Sequence, residues 1–240
     1  MRSSDTDAHR ANRLLARMTA AGLARLAPHL EVVPLVSRDI LIETGAPLKH
    51  VYFPHSGVIC LMTSMPSGVA EMATIGCEGF MGFETVLGAQ TAANRALVQI
   101  AGSASRVPVA ALRAAMERVP AIRDPLLRYV RFFLIQALQS VACSALHEVD
   151  ARCAQWLLRA QDRGGEAHAL NLTQEFLAEM LGVQRPSVTI VARSLQKAGL
   201  IRYSRGVIEI VDREGLEDAA CECYGIVRRA LDEILPVAKR

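Results

Sequence analysis

Five basic side chains, Arg185, Arg193, Lys197, Arg202 and Arg205, fall between Gln184 and Arg205 with no acidic residue among them. Over the 240 residues the formal charge is only +3, and from Glu166 onward acids and bases nearly balance, so this cluster is local. Guanidinium groups are matched donors for phosphate oxygens and for the O6 and N7 edge of guanine. The residues between them extend that chemistry. Gln184 can read adenine, Ser187 and Thr189 carry hydroxyls for phosphate or base, and Ile190 can touch a thymine methyl. Together with Thr173, Arg185, Arg193 and Arg205 these form a candidate surface for double-stranded DNA. A solvated helix face is the bland alternative for such charges. Catalytic chemistry is not legible: G-x-S-x-G, H-E-x-x-H, a phosphate loop ending in Gly-Lys-Ser/Thr and G-x-G-x-x-G are all absent, and no catalytic residue or enzyme activity is assigned.

Such a surface needs elements to hold it. Thr173 is a good N-cap, Leu172 and Leu177 can close a hydrophobic staple around it, and Glu175 suits the first turn. The spacing predicts a helix to about Leu181. Gly182 then permits a left-handed turn and Val183 drops an apolar side chain between two helices. Pro186 belongs in the first turn of the second helix, whose buried stripe is Val188, Val191 and Leu195. This is a helix-turn-helix, in which the second helix is presented to the major groove. Downstream, LIRYSRGVIEIVD predicts a hairpin turning at Gly206, a wing that carries Arg205 at its tip or a capping hairpin whose Arg faces water.

The upstream chain is of another kind. Apolar residues at helical spacing from Asn12 to Leu30 predict a short helical entry. From Val32 to about Pro108, short apolar runs broken by Gly, Pro and Ser predict the strands of a sandwich or barrel, with Val51 and Phe53, then Val58, Cys60 and Met62, on core faces. From Asp124 to Leu146 Leu127, Val130, Leu134, Ala137, Val141 and Ser144 recur at steps of three and four, which is coiled-coil spacing. That helix is apolar on its other faces too. It is expected to pack on its own barrel and on a second subunit, a homodimer, a buried helix within one monomer being the alternative. The segment from Glu148 to His168 predicts an amphipathic helix closed by Gly164 and Gly165. Hence the expected division is 1–147, with the dimerisation helix at about 124–146, and 148–240.

With 51% hydrophobic residues, intrinsic disorder is excluded as the main state. Asp5, Asp7 and Arg10 interrupt the apolar run a signal peptide needs, and no run of 18 apolar residues is present, so a cytoplasmic protein without a membrane partner is expected. Six cysteines, Cys60, Cys77, Cys143, Cys153, Cys221 and Cys223, are scattered without C-x-x-C and read as buried thiols. Cys221 and Cys223 could bind a soft metal, but they are read as thiols of a terminal helix, and no metal ligand is assigned. His147-Glu148 reads as a helix junction.

The string LTQEFLAEMLGVQRPSVTIVARSLQKAGLI and the hairpin after it resemble the winged helix-turn-helix of the Crp/Fnr family of bacterial transcription regulators. YFPHSGVICLM resembles that family's barrel strand, and the order barrel, long helix, winged helix covers nearly the whole chain. The resemblance implies an α+β fold: an N-terminal cyclic-nucleotide-binding-like β-roll or jelly-roll barrel, a long dimerisation helix and a C-terminal winged helix-turn-helix. It implies a dimeric, sequence-specific transcription regulator, with RNA polymerase as a partner, a small-molecule effector as a possible one, and Arg185 as the base-reading arginine. Pro186 and Ile190 depart from cyclic-AMP-receptor-like members, so the target site should differ from theirs. In the barrel, Gly82, Glu84 and Arg95 are the nearest equivalents of the nucleotide-holding residues. Phe83 separates Gly from Glu, and Ala96 replaces a hydroxyl residue, which implies an unknown or vestigial ligand and no resident cofactor. A cyclic-nucleotide-responsive or a redox- or metal-responsive regulator is the alternative, and a non-DNA regulatory module of an enzyme a more distant one. No cysteine precedes Cys60, which argues against the family's N-terminal iron–sulfur ligand group.

Overall fold

The computed structural model describes residues 8–66, 68–164 and 169–236. Asp5, Asp7, Gly165 and the end of the segment to His168 lie outside them. The helical entry is two short pieces, α1 (Arg13–Arg17) and α2 (Ala20–Leu26), split because Asn12 and Thr19 each cap a new helix start. The five leucine and methionine positions of the expected stripe, Leu14, Leu15, Met18, Leu23 and Leu26, are all buried.

Next come β1 (Glu31–Leu35), β2 (Ile40–Ile42), β3 (His50–Met65), β4 (Gly68–Ile75) and β5 (Arg95–Pro108). They pair antiparallel in the order β1-β5-β3-β4, with β2 also on β5, forming the β-roll. Bulges along β3 at Pro54–Ser56, Ser56–Val58 and Val58–Ile59 bend the long strands. Phe53 stacks on Phe80, and Tyr129 packs tilted against Phe80, in an interior shared with Ile59, Leu61, Ile75, Val98 and Val107.

One strand differs from its sequence pattern. Inward positions of β3 continue as Ile59 and Leu61, whereas Cys60 and Met62 face outward into a second core with Trp156, Leu157, Leu177 and Met180. The strand is covered on both faces there, so its apolar residues run continuously and alternation alone finds only one of its two buried faces.

The chain continues with α3 (Val109–Arg118), α4 (Arg123–Leu146), α5 (Val149–Gly164), β6 (Ala169–Asn171), α6 (Gln174–Leu181), α7 (Arg185–Lys197), β7 (Ile201–Ser204), β8 (Val207–Ile210), α8 (Arg213–Ala219) and α9 (Cys223–Ile234). By length and composition Pro120–Leu146 could cross a membrane. It instead lays Leu126, Tyr129 and Phe132 into the barrel core. Its opposite face leaves Leu127, Leu134, Leu138, Val141 and Leu146 exposed. Leu138, outside the three-and-four spacing, joins that exposed face, while Ala137 is half-buried. The second core is built from α5, α6, α7 and a three-stranded sheet in the order β6-β8-β7. Finally α9 returns to α4, and Val227 and Leu235 join the barrel core.

Candidate nucleic-acid interface

The Thr173 hydroxyl accepts the Phe176 N–H at 3.2 Å, opening α6, and Phe176, Leu177 and Met180 bury its inner face. Gly182 closes it at φ 64°, a left-handed conformation in which a side chain would be strained. The Val183 N–H returns to the Ala178 carbonyl at 3.0 Å, tightening the turn. Pro186 then stands in the first turn of α7, where no helical N–H is lost. Val188, Val191, Ala192 and Leu195 fix the rotation of α7 by burial.

That rotation decides what faces outward. Gln184, Arg185 and Arg193 are exposed, and Ile190 is 69% exposed, a large apolar side chain left in water on a basic helix. Ser187 and Thr189 are half-buried. Thr189 is already engaged: its Oγ1 donates to Gln174 Oε1 at 2.9 Å and lies 3.2 Å from the Arg185 carbonyl. It therefore locks α6 to α7 instead of standing free for phosphate. Gln174, which sequence reasoning passed over, is held at its Oε1 by this bond, which leaves its amide N–H groups as unspent donors beside α7. Its only sequence signal is its place just after the N-cap.

The wing is joined to this face through backbone. Ser204 pairs with Val207, leaving Arg205 and Gly206 as a two-residue turn at φ 49° and 78°. Both values are left-handed, the signature of a type I′ hairpin, where Asn or Gly is the ordinary first residue. An arginine held there is an unusual choice. The Leu172 N–H donates to the Gly206 carbonyl at 2.7 Å and the Tyr203 hydroxyl to the Leu172 carbonyl at 3.0 Å, so the wing tip sits against the start of α6. Burial pushes the Tyr203 phenol above its ordinary range, while the neighbouring Arg185 guanidinium draws it back. Arg202 is engaged across the wing by Glu209 at 2.7 Å, so it adds less to the positive field than the sequence cluster suggests. Arg185, Arg193, Lys197 and Arg205 are all exposed.

The barrel holds the other three candidates. Gly82 takes φ 88° at the start of the short helical turn Phe83–Leu87. Burial raises the Glu84 carboxyl, partly offset by backbone N–H donors of Glu84 and Ala93. Arg95 is paired at the surface with Glu43 at 2.8 Å. None of the three lines the cavity of about 340 Å3 bounded by Ile40, Lys49, Tyr52 and Met81. Glu43, the partner of Arg95, does line that cavity, so the exposed Arg95–Glu43 pair stands at its edge. A cleft of about 470 Å3 lies instead where the β3–β4 hairpin, with Met65, Val69 and Met72, meets Glu179, Gly182 and Arg185.

Residues 151–219 match the family model of the Crp-like helix-turn-helix domain. Solved structures share the fold of most of the chain. FixK2 from Bradyrhizobium japonicum is 16% identical, with a TM-score of 0.68 over 80% of this chain and 98% of its own. The c-di-GMP-responsive global regulator CLP of Xanthomonas campestris is 16% identical, with a TM-score of 0.64 over 80% and 99%. A CRP-family transcriptional regulator from Thermus thermophilus is 17% identical, with a TM-score of 0.64 over 78% and 96%. No curated protein matches the chain by sequence.

Proposed function

We propose, for a chain with the Crp/Fnr regulator fold and a Crp-like helix-turn-helix domain, that it is a sequence-specific DNA-binding regulator of transcription acting as a homodimer. One observation carries this reading. A helix of fixed rotation presents Gln184, Arg185, Ile190 and Arg193 beside a wing tip, Arg205, that is tied by backbone to the start of the preceding helix. Arg185 is assigned to a guanine, Gln184 to an adenine and Ile190 to a thymine methyl. Arg193, Ser187, Arg205 and the Thr173 end of α6 are assigned to the phosphates, which set register without specifying sequence.

The exposed seam of α4 supports pairing with a second copy. Two recognition helices would then read half-sites about 34 Å apart. A cytoplasmic location and contact with RNA polymerase go with this reading, and no catalytic role is assigned. Any effector acts through the long helix α4, by which the barrel biases the spacing of the two readers. The ligand named for CLP is not assigned here, since none of Gly82, Glu84 and Arg95 lines the barrel cavity.

The experiment is retardation of fragments of the host genome across a salt series. Discrete high-affinity sites with two-fold symmetry, weakening steeply as salt rises, are expected. Failure to retard any fragment at low ionic strength, or a flat dependence on salt, overturns the reading.

A further inference from the structure

The end of α4 and the break between α8 and α9 bring three thiols and an imidazole to one point. Ligand atoms of Cys143, His147, Cys221 and Cys223 all lie within 4.8 Å of one another. Cys143 Sγ is 3.5 Å from Cys221 Sγ, and Cys223 Sγ is 3.4 Å from His147 Nδ1. A tetrahedral ion with metal–sulfur bonds of about 2.3 Å and metal–nitrogen bonds of about 2.0 Å sets its ligands about 3.5 to 3.8 Å apart. These pairs are already at that separation.

The surroundings are those of a built site. The other imidazole nitrogen, His147 Nε2, meets Glu222 Oε1 at 3.2 Å, a carboxylate behind a histidine that leaves Nδ1 turned to the sulfurs. Gln155 Nε2 donates to Cys143 Sγ at 3.4 Å and Gln139 Nε2 to Cys223 Sγ at 3.1 Å, the N–H donors a thiolate needs away from water. Cys143, Cys221 and Cys223 are 3%, 7% and 1% exposed, so four ligands close the shell and leave no position for substrate.

We propose that Cys143, His147, Cys221 and Cys223 form a Cys3His site for one thiophilic divalent cation, zinc being the class that three sulfurs and one imidazole in a closed tetrahedron fit best. Binding releases three thiol protons to solvent and needs no oxidant or reductant. The ion ties the end of α4 to the start of α9 through His147, the first of the two residues that separate α4 from α5. It thus holds the joint leading to the reader. Sequence reading missed the set because the two ligand pairs, C-x-x-x-H and C-x-C, lie far apart along the chain.

The test uses the full chain, stripped with a chelator, kept anaerobic with a thiol-free reductant, and titrated with cobalt(II) and then zinc(II). Expected are one cobalt per chain, thiolate-to-cobalt charge-transfer absorption, intense tetrahedral ligand-field bands, and displacement by one equivalent of zinc. Cys223→Ser should abolish these bands and Cys77→Ser should keep them. Glu222→Gln, at an exposed position, should weaken affinity by about tenfold to a hundredfold with the fold intact. The proposal is overturned by the absence of saturable binding, by a weak octahedral spectrum, by unchanged bands in Cys223→Ser, or by a Cys143–Cys221 disulfide under these conditions. The unaltered protein's spectrum decides even where a cysteine variant fails to fold. None of these failures would touch DNA retardation.

Discussion

Arg163 Nε lies 2.9 Å from Glu78 Oε1, with the two side chains 7% and 3% exposed. The same guanidinium donates to Thr74 Oγ1 and Gln136 Oε1, so one cation from α5 holds the end of β4, the loop after it and α4. Removing one partner leaves the other a buried charge without its counter-ion. Glu78→Ala should cost about 3 to 5 kcal/mol, read from denaturant midpoints. Glu78→Leu combined with Arg163→Met should recover most of that loss, since an apolar pair of similar volume carries no desolvation cost.

Arg185 and Arg205 should fail differently. Arg185→Ala should cost about 1 to 3 kcal/mol on the best site and relax one base position. Arg205→Ala should weaken all sequences alike and lower the salt slope by about 1. Arg205→Asn sharpens the distinction. Asn-Gly suits the two left-handed positions, so stability should rise by a few tenths of a kcal/mol to about 1 while affinity falls. Titrations on cognate and substituted duplexes, with a stability curve for each variant, check all three.

The α4 seam gives a third expectation. Leu138 is 62% exposed and lies on the face away from the barrel, so Leu138→Glu should leave the folded subunit intact. Light scattering should then show monomer where the unaltered chain shows dimer. Affinity for a two-half-site duplex should fall to near that of a half-site.

Acid should loosen the barrel. His55 Nε2 lies 2.6 Å from Ser105 Oγ, which also meets His9 Nδ1 at 2.7 Å. Burial first, and the neighbouring His9 second, hold His55 below its ordinary 6.5. The folded state binds this proton more weakly than the unfolded chain. This contribution to stability is therefore complete above pH 6.5 and is lost as pH falls through the depressed value. Denaturant midpoints measured through that window should slope downward with acid, and His55→Gln should flatten the slope.

Local chemistry explains what was legible. The cap at Thr173, the turn at Gly182, the proline at 186 and the stripe Val188-Val191-Leu195 are signals read within a few residues, and they place α6 and α7. The wing followed from alternation, but β6 did not: three residues show no period, and Asn171 is in a strand only because β8 lies beside it. Pairings distant in sequence were not readable. Thr189 as a donor to Gln174, Arg95 on Glu43, and Cys143 beside Cys221 depend on how far elements turn when packed. Cys60 and Met62 are core residues as alternation indicates, but that their core is a second one was not readable, since the helices covering them come from a part of the chain about a hundred residues later.

Because β3 gives Phe53 to one core and Cys60 and Met62 to the other, neither half owns a finished interior. Heating should accordingly melt barrel and reader together in a single calorimetric peak, and a fragment starting at Glu148 should emerge as a loosened species with its Trp156 indole wet. The ribosome delivers that strand long before its outer covering exists, so the nascent barrel must wait with a greasy flank bare.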